Sequence, residues 1–324
     1  MPSRRVIGVD MGGTKLLAAA VDAGLGVHHR VQRTIGGLDQ PTLLNTVQAT
    51  VEEVAGNSGA EVAGVGFGIP SLIDRRAGRS VVSVHLPLDD VAFADVMAER
   101  LGLPVWIDND ANLAALAEHR AGAAAGAEEV VLLTLGTGIG GGLILGGRLY
   151  RGALGAAGEL GHMVVDMHGP RCFGDCPGNG CIESVASGTA LAVEARRLAG
   201  EQPESGLGRA LSEGQQLEGP LVTELAHDGD AAAIEVLSVI GGRLGVAIAS
   251  LVNIFNPQVV VIGGGVIGAG ELLLRPAREE VARRALQPSR DAVRIEAARF
   301  GVEAGMIGAA VLAMDELAER GAGL

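Results

Sequence analysis

Two short acidic stretches carry residue types that could do chemistry. "WIDNDAN", Trp106 to Asn112, sits where an apolar run gives way to a helical pattern, and "VDMGGTK", Val9 to Lys15, sets Asp10 ahead of two glycines, a threonine and the only lysine of the chain. Ligands of an open α/β sheet collect outside the carboxyl ends of its strands, so an Asn109-Asp110 pair there is placed to meet a polar substrate. Helix capping explains the same residue types equally well, with Asp108, Asn109 or Asp110 as the cap. "GELGH", Gly158 to His162, adds a carboxylate and an imidazole with little apolar material to bury them.

The three cysteines, Cys172, Cys176 and Cys181, form one cluster. An odd count without a secretion signal argues against a disulfide framework. Three thiolates with one nearby histidine complete a closed tetrahedral zinc site, with His162 as the expected fourth ligand and His168 as its rival. Three buried thiols are the plainer alternative. His28, His29, His119 and His227 read as solvated or internally satisfied.

The elements that must position these groups follow from apolar runs and glycine breaks. Val6 to Val9 reads as a buried strand, Leu16 to Val21 as a second, and Asp22 to Gly26 as a turn into a third. The Asp10 to Lys15 loop therefore joins two strands, which excludes the phosphate loop that ends in Gly-Lys-Ser/Thr with a helix directly behind it. Val130 to Leu135 and Leu143 to Leu145 flank a second glycine-threonine loop, Gly136 to Gly142. The repeated strand, loop, strand unit predicts two similar halves facing each other across a cleft. Ala63 to Phe67 (strand), Asp89 to Leu101 (helix), Pro104 to Ile107 (strand) and Ala111 to Arg120 (helix) alternate, which makes the fold α/β. A long helix from Asp230 to Ile254 precedes a strand, Val259 to Ile262, and a helix from Glu271 to Leu286. Ser205 to Gly219 is the most loop-like interior segment.

Two matches to the dinucleotide pattern G-x-G-x-x-G, at Gly136, Gly138, Gly141 and at Gly263, Gly265, Gly268, lack its context. The first runs into a strand, and the second comes too late in the chain to begin a nucleotide-binding unit.

At 324 residues the chain exceeds the roughly 250 to 300 at which single cores stop growing, so two domains are expected. A formal charge of -13 opposes phosphate backbones and anionic lipid surfaces, so neither nucleic acid nor membrane is an expected partner. Two uncharged stretches are long enough to ask about a bilayer. Val130 to Gly147 is cut by its glycine loop, and Leu244 to Gly270 carries Asn253, Asn256, Pro257 and Gln258 at its middle. The expected location is cytoplasmic.

The order Asp10-Met-Gly-Gly-Thr-Lys15, Asn109-Asp110-Ala-Asn112, Gly136-Thr-Gly138, Glu159-Leu-Gly-His162, then Gly180-Cys181-Ile-Glu183 and Val259 to Gly265, resembles the ROK family of bacterial sugar kinases over nearly the whole chain. Within the family the pattern is most similar to ATP-dependent glucokinases. The resemblance implies a two-domain actin-like/sugar kinase (ribonuclease H-like) α/β fold with a cleft between the domains. The small domain would be 1–118 plus 304–324 and the large one 119–303 with the zinc-binding loop. It implies 6-phosphorylation of glucose, with Asp110 as general base and Gly68, Pro70, Asn109, Asp110, Glu159, His162 and Glu183 around the sugar. ATP would meet Asp10, Gly12, Gly13, Thr14, Lys15, Thr137, Gly138, Gly264 and Gly265, with the Gly12 and Gly13 amides offered to phosphate and Gly264 and Gly265 letting the backbone approach the adenosine. Mg²⁺ would accompany ATP, reached by Asp10 through water. Structural Zn²⁺ would be held by His162, Cys172, Cys176 and Cys181, leaving the second ring nitrogen of His162 for the sugar. A homodimer or homotetramer is also implied.

Three departures from the family pattern bear on the pocket. Three residues separate the first two cysteines where the family often has one, Ser71 replaces a glycine after Pro70, and His85 stands where asparagine is common. Rival readings are a kinase for N-acetylglucosamine, N-acetylmannosamine, mannose or fructose, a polyphosphate-using glucokinase, and a non-catalytic sugar-responsive regulator. A regulator would need a DNA-binding segment ahead of the sugar domain, whereas Val6 already begins a strand.

Overall fold

The run after Arg4 carries apolar residues without alternation, as a strand covered on both faces requires. It forms β1 (Arg4–Met11), in which Val6, Ile7, Val9 and Met11 are fully buried. The computed structural model describes residues 4–83 and 85–324. The chain divides into two compact units. The first comprises Met1–Ala125, Leu149–Gly158 and Val302–Leu324, and the second comprises Gly126–Arg148 and Glu159–Gly301.

In the first unit β1 is followed by β2 (Lys15–Val21), β3 (Val27–Thr34), helix α1 (Gln40–Gly56), β4 (Glu61–Ile69), the hairpin β5 (Ser71–Asp74) and β6 (Arg79–Ser83), helix α2 (Phe93–Leu101), β7 (Val105–Asn109) and helix α3 (Asp110–Ala121). The sheet order is β3-β2-β1-β4-β7. β1 pairs antiparallel with β2 and parallel with β4, which pairs parallel with β7. The helix Ala304–Glu319 returns to this sheet. Gly8 and Gly66 make that contact possible, because a side chain on either would overlap the Met306 or Ala309 carbonyl oxygen of that helix. The helix expected from Asp89 begins only at Phe93, because Asp90 adopts a positive φ of 53° that ends any earlier helical run.

The second unit repeats the pairing pattern. β8 (Val130–Leu135), β9 (Ile139–Leu145), β10 (Arg148–Leu149), β11 (Val259–Gly263) and β12 (Arg294–Ala297) lie in the order β10-β9-β8-β11-β12. β8 pairs antiparallel with β9 and parallel with β11. Helices α4 (Ile182–Ala186), α5 (Gly188–Glu201), α6 (Gly206–Ser212), α7 (Gly219–His227), α8 (Ala231–Phe255), α9 (Glu271–Arg284) and α10 (Ser289–Ala292) complete the unit.

α8 is long and apolar enough to cross a membrane by length and composition, but here it is a core helix with Leu244, Ile248 and Val252 buried. Asp230 caps its start by accepting the Ala233 amide proton, and Asn256, in the left-handed conformation ahead of Pro257, ends it.

Two expectations are corrected. The second glycine loop is shorter than Gly136 to Gly142: Gly140, Gly141 and Gly142 are ladder residues of β9, opposite Thr134, Leu133 and Leu132. The loop-like stretch Ser205 to Gly219 contains α6, because the Ser205 hydroxyl accepts the Gly208 amide proton and Leu207 and Ala210 are buried. Overpacking at a glycine that touches backbone leaves little room for relaxation. Gly66→Val is therefore expected to lower unfolding free energy by about 3 kcal/mol, read from urea denaturation.

Candidate active site

Strand register sets the first cluster. Asp10 of β1 stands opposite Gly68 of β4, and Gly68 opposite Asp108 of β7, so three neighbouring parallel strands end side by side at their carboxyl termini. Pro70 follows at once and turns the chain into β5. At Gly68 a Cβ would lie 3.5 Å from the Asp10 Oδ1 and 3.6 Å from the Asp110 Cα, so the bare glycine lets both acidic residues close in. Gly305, near the start of the C-terminal helix, does the same from another side: its Cβ would meet the Asp10 Cγ at 2.6 Å. Burial, followed by the charge of Asp110, pushes the Asp10 carboxyl up from 3.8 to about 7. Two acids sharing one poorly hydrated spot favour a proton or a cation between them.

The neighbouring β7–α3 junction separates the roles that the sequence left open. Asn109 is the cap of α3: its Oδ1 accepts from the amides of Ala111 (3.0 Å) and Asn112 (3.2 Å), and its Nδ2 donates to the Ser71 carbonyl at 3.4 Å. Asp110 is the first helical residue, half-buried, with Oδ1 2.9 Å from the Ala111 amide. Anionic side chains are favoured in this first turn by the aligned peptide dipoles. Asp108 points into the unit, 2% exposed, and accepts from Asn112 Nδ2 at 3.1 Å and Arg151 Nε at 2.6 Å. The Asp108–Arg151 pair was not foreseen, since nothing in the local pattern joins residues 43 positions apart.

The β1–β2 hairpin closes over Gly12, Gly13 and Thr14. The Gly12 amide donates to the Lys15 carbonyl at 2.8 Å, so it is committed to the hairpin and corrects the expectation that it is offered to phosphate. The Thr14 carbonyl accepts from Ile35 and Gly36, leaving Thr14 exposed at the tip. His85 lies against Gly13, whose Cβ would stand 3.1 Å from the His85 Cβ. Lys15 is exposed, opposite Thr34 on β3.

In the second unit the loop Gly136, Thr137, Gly138 connects β8 to β9, with Gly136 and Thr137 exposed. Glu183 of α4 is half-buried and accepts the Ile139 amide proton at 2.8 Å through Oε2. Gly264, with φ +83°, packs its Cα against the Leu135 backbone, where a Cβ would lie 2.5 Å from the Leu135 N. A Cβ at Gly265 would meet only open space. Glu159 is exposed, and its carbonyl accepts from the His162 amide in the short 3-10 helix Leu160–His162.

The same unit brings His162, Cys172, Cys176 and Cys181 together, with one ligand atom of each within 4.8 Å of the others. Cys172 Sγ is 3.6 Å from His162 Nδ1 and Cys176 Sγ is 3.9 Å from Cys181 Sγ. Those spacings are the edges of a tetrahedron around a zinc ion, about 3.8 Å for Zn–S bonds near 2.3 Å, and far exceed a disulfide at about 2.05 Å. His168 is outside the cluster. Burial, reinforced by the neighbouring thiols, pushes Cys172 up to about 12, and burial also raises Cys181. A metal must displace those protons, so its affinity falls with falling pH. The four residues fit zinc in type, number and spacing, with Nδ1 of His162 turned inward.

A family model described as the ROK family matches residues 6–316. The glucokinase of Halalkalibacterium halodurans is 36% identical over 313 residues, covering 95% of this chain and 94% of that protein. A ROK family glucokinase from Streptomyces griseus, solved in complex with glucose and AMPPNP, is 34% identical with a TM-score of 0.85, covering 95% of this chain and 98% of its own. A putative xylose repressor of Caldicellulosiruptor sp. is 30% identical over 318 residues, covering 96% of this chain and 78% of that protein.

The Asp10 carboxyl binds its proton more tightly in the folded chain than in the unfolded one. Its contribution to stability is therefore complete below pH 3.8 and is lost as pH rises to about 7. In metal-free buffer, Asp10→Asn is expected to raise the melting temperature by a few degrees at about pH 8 and by less at about pH 5, because the amide carries no charge to desolvate. Scanning calorimetry at both pH values checks the sign; a lower melting temperature for the variant at the higher pH would contradict it.

Proposed function

The chain belongs to the ROK family and is a hexokinase-type phosphotransferase; we propose that it transfers the γ-phosphoryl group of ATP to the 6-hydroxyl of glucose in the cytoplasm. One observation carries the choice of donor and acceptor. The Streptomyces griseus enzyme, similar over 95% of this chain, is a glucokinase whose structure contains glucose and AMPPNP.

On this reading Asp110 accepts the proton of the sugar 6-hydroxyl as that oxygen attacks the γ-phosphorus and ADP leaves. The products are glucose 6-phosphate, ADP and the proton taken by Asp110. Its position in the first turn of α3, with Asn109 holding the cap, keeps the carboxylate oriented. Asn109 has its Oδ1 committed, so its contact with the sugar is as a donor through Nδ2. Glu159, His162 Nε2 and Glu183 are further proposed sugar contacts, as are Gly68 and Pro70. Carboxylates suit a ligand that presents many hydroxyl donors.

Phosphoryl transfer asks a protein mainly to position the groups and stabilise charge. Gly13, Thr14, Thr137 and Gly138 are the proposed phosphate contacts, and Lys15 is close enough in sequence to join them. Gly264 and Gly265 are the candidates for backbone approach to the adenosine. Mg²⁺, when bound with ATP, would neutralise phosphate charge, and Asp10 would reach it through water, since this ion keeps much of its hydration shell. The raised Asp10 carboxyl fits that role, because a cation relieves the same repulsion a proton does. Zinc in the His162, Cys172, Cys176, Cys181 cluster would be structural, since four protein ligands leave no open position.

The repressor likeness supports a second reading, a sugar-responsive regulator. A net charge of -13 weighs against DNA as a partner. A coupled assay across glucose, mannose, fructose, N-acetylglucosamine and N-acetylmannosamine, with Mg-ATP and with polyphosphate, is expected to give the highest kcat/KM for glucose with ATP. No turnover of any hexose would remove the kinase reading. Asp110→Asn is expected to lower kcat by at least about 10²-fold, the size of general-base effects, with an unchanged melting curve. Near-normal turnover in that variant would remove Asp110 from its role.

A further inference from the structure

We propose that Glu183 is a positioning residue through which the Cys/His cluster holds the Gly136–Gly138 loop in shape, so that the metal site governs nucleotide binding as well as the sugar pocket. The inference rests on the reading of that loop as a phosphate contact.

The connection is short and continuous. Cys181 caps the start of α4, so Glu183 stands on the first turn of a helix that begins at a cluster ligand. The two carboxyl oxygens of Glu183 face different partners: Oε1 lies 3.8 Å from the Cys172 Sγ, and Oε2 accepts the Ile139 amide proton at 2.8 Å. Ile139 is the first residue of β9, directly after Gly138. Gly138 admits this contact only because it has no side chain, which would overlap the Glu183 Oε2.

The residues that follow α4 fasten the rest of the loop. The Gly188 amide donates to the Gly136 carbonyl at 2.8 Å, and the Thr189 hydroxyl donates to the Thr137 carbonyl at 2.8 Å. Gly136 and Thr137 are exposed, so apolar burial does little to hold them. The loop's shape therefore depends on polar ties to residues 183–189. The segment from Cys172 to Cys181 that leads into these residues has no strand or helix of its own beyond single bridges, Arg171 to Asn179 and Val164 to Cys181. A metal joining its four ligands converts that segment into a rigid base for α4, because a metal site made on folding contributes its binding energy to the folded arrangement. Losing the metal frees Glu183 to swing away, and the Ile139 amide loses its acceptor.

The test uses the full chain, zinc-loaded or chelator-stripped and returned to Mg²⁺, with two readouts: hydrogen exchange at the Ile139 amide and affinity for Mg-AMPPNP by calorimetry. Stripping is expected to reduce Ile139 protection and AMPPNP affinity by about tenfold or more each, the size of one hydrogen bond to a charged group, while amides of β1 keep their protection. Glu183→Leu, with zinc content unchanged, should reproduce both losses, and Glu183→Gln, which keeps an acceptor oxygen, should restore Ile139 protection. Thr189→Val should weaken AMPPNP binding with zinc retained. Unchanged Ile139 protection in stripped protein and in Glu183→Leu would overturn the inference. If stripping unfolds the chain, the zinc-loaded Glu183→Leu decides alone. Zinc-loaded wild-type protein that binds no Mg-AMPPNP would instead remove the phosphate reading, while the exchange measurement would still judge the clamp.

Discussion

The first unit is organised around the crowding of Asp10 and Asp110 at the carboxyl end of its sheet. Two acids in a poorly hydrated place repel each other, and the fold accepts that cost by surrounding them with glycine. Gly68, opposite Asp10 in the ladder, leaves room for Asp10 and the Asp110 backbone where a side chain would touch both, and Gly305 brings the C-terminal helix against Asp10 without a side chain in the way. Gly8 and Gly66 set the depth of that same helix on β1 and β4. A side chain at any of these positions would push the helix out or the carboxyls apart, so backbone packing and site geometry are one constraint. The groups behind the site answer the remaining charge: Asp108 is buried against Arg151, and Asn109 holds the helix start on which Asp110 rides.

The second unit applies the same economy differently. Its loop uses glycines to let the Glu183 carboxyl and the Gly188 backbone approach, and its Cys/His cluster adjoins Ile182, a buried member of the unit's large apolar core. With an aromatic content of 2%, the chain builds its cores from Ala, Val, Leu and Ile, and a loop region without such residues needs another source of order.

Much of this was legible in the residues. Apolar runs broken by glycine located β1, β2, β8 and β11, the cysteine spacing announced the cluster, and the long α8 followed from its uncharged run and its Asp230 and Asn256 ends. What was not legible has physical causes. Gly140 to Gly142 read as loop because glycine favours turns, yet ladder bonds to β8 hold them in a strand. Asn109 and Asp110 have the same propensity for capping, and only the hydrogen bonds identify Asn109 as the cap. The Gly12 amide cannot be known to be spent without the hairpin that spends it. The Arg151 partner of Asp108 and the Glu183 partner of Ile139 are contacts across long sequence separations, which local patterns do not encode.

The carboxylate pair can be observed directly. With aspartate carboxyl carbons labelled, the Asp10 resonance followed by NMR against pH in metal-free protein should titrate near pH 7, move toward the ordinary range in Asp110→Asn, and move down in wild-type protein when Mg-ADP is added. An Asp10 midpoint near the usual 3.8 in wild type, unaffected by Asp110→Asn or by Mg-ADP, would contradict the account.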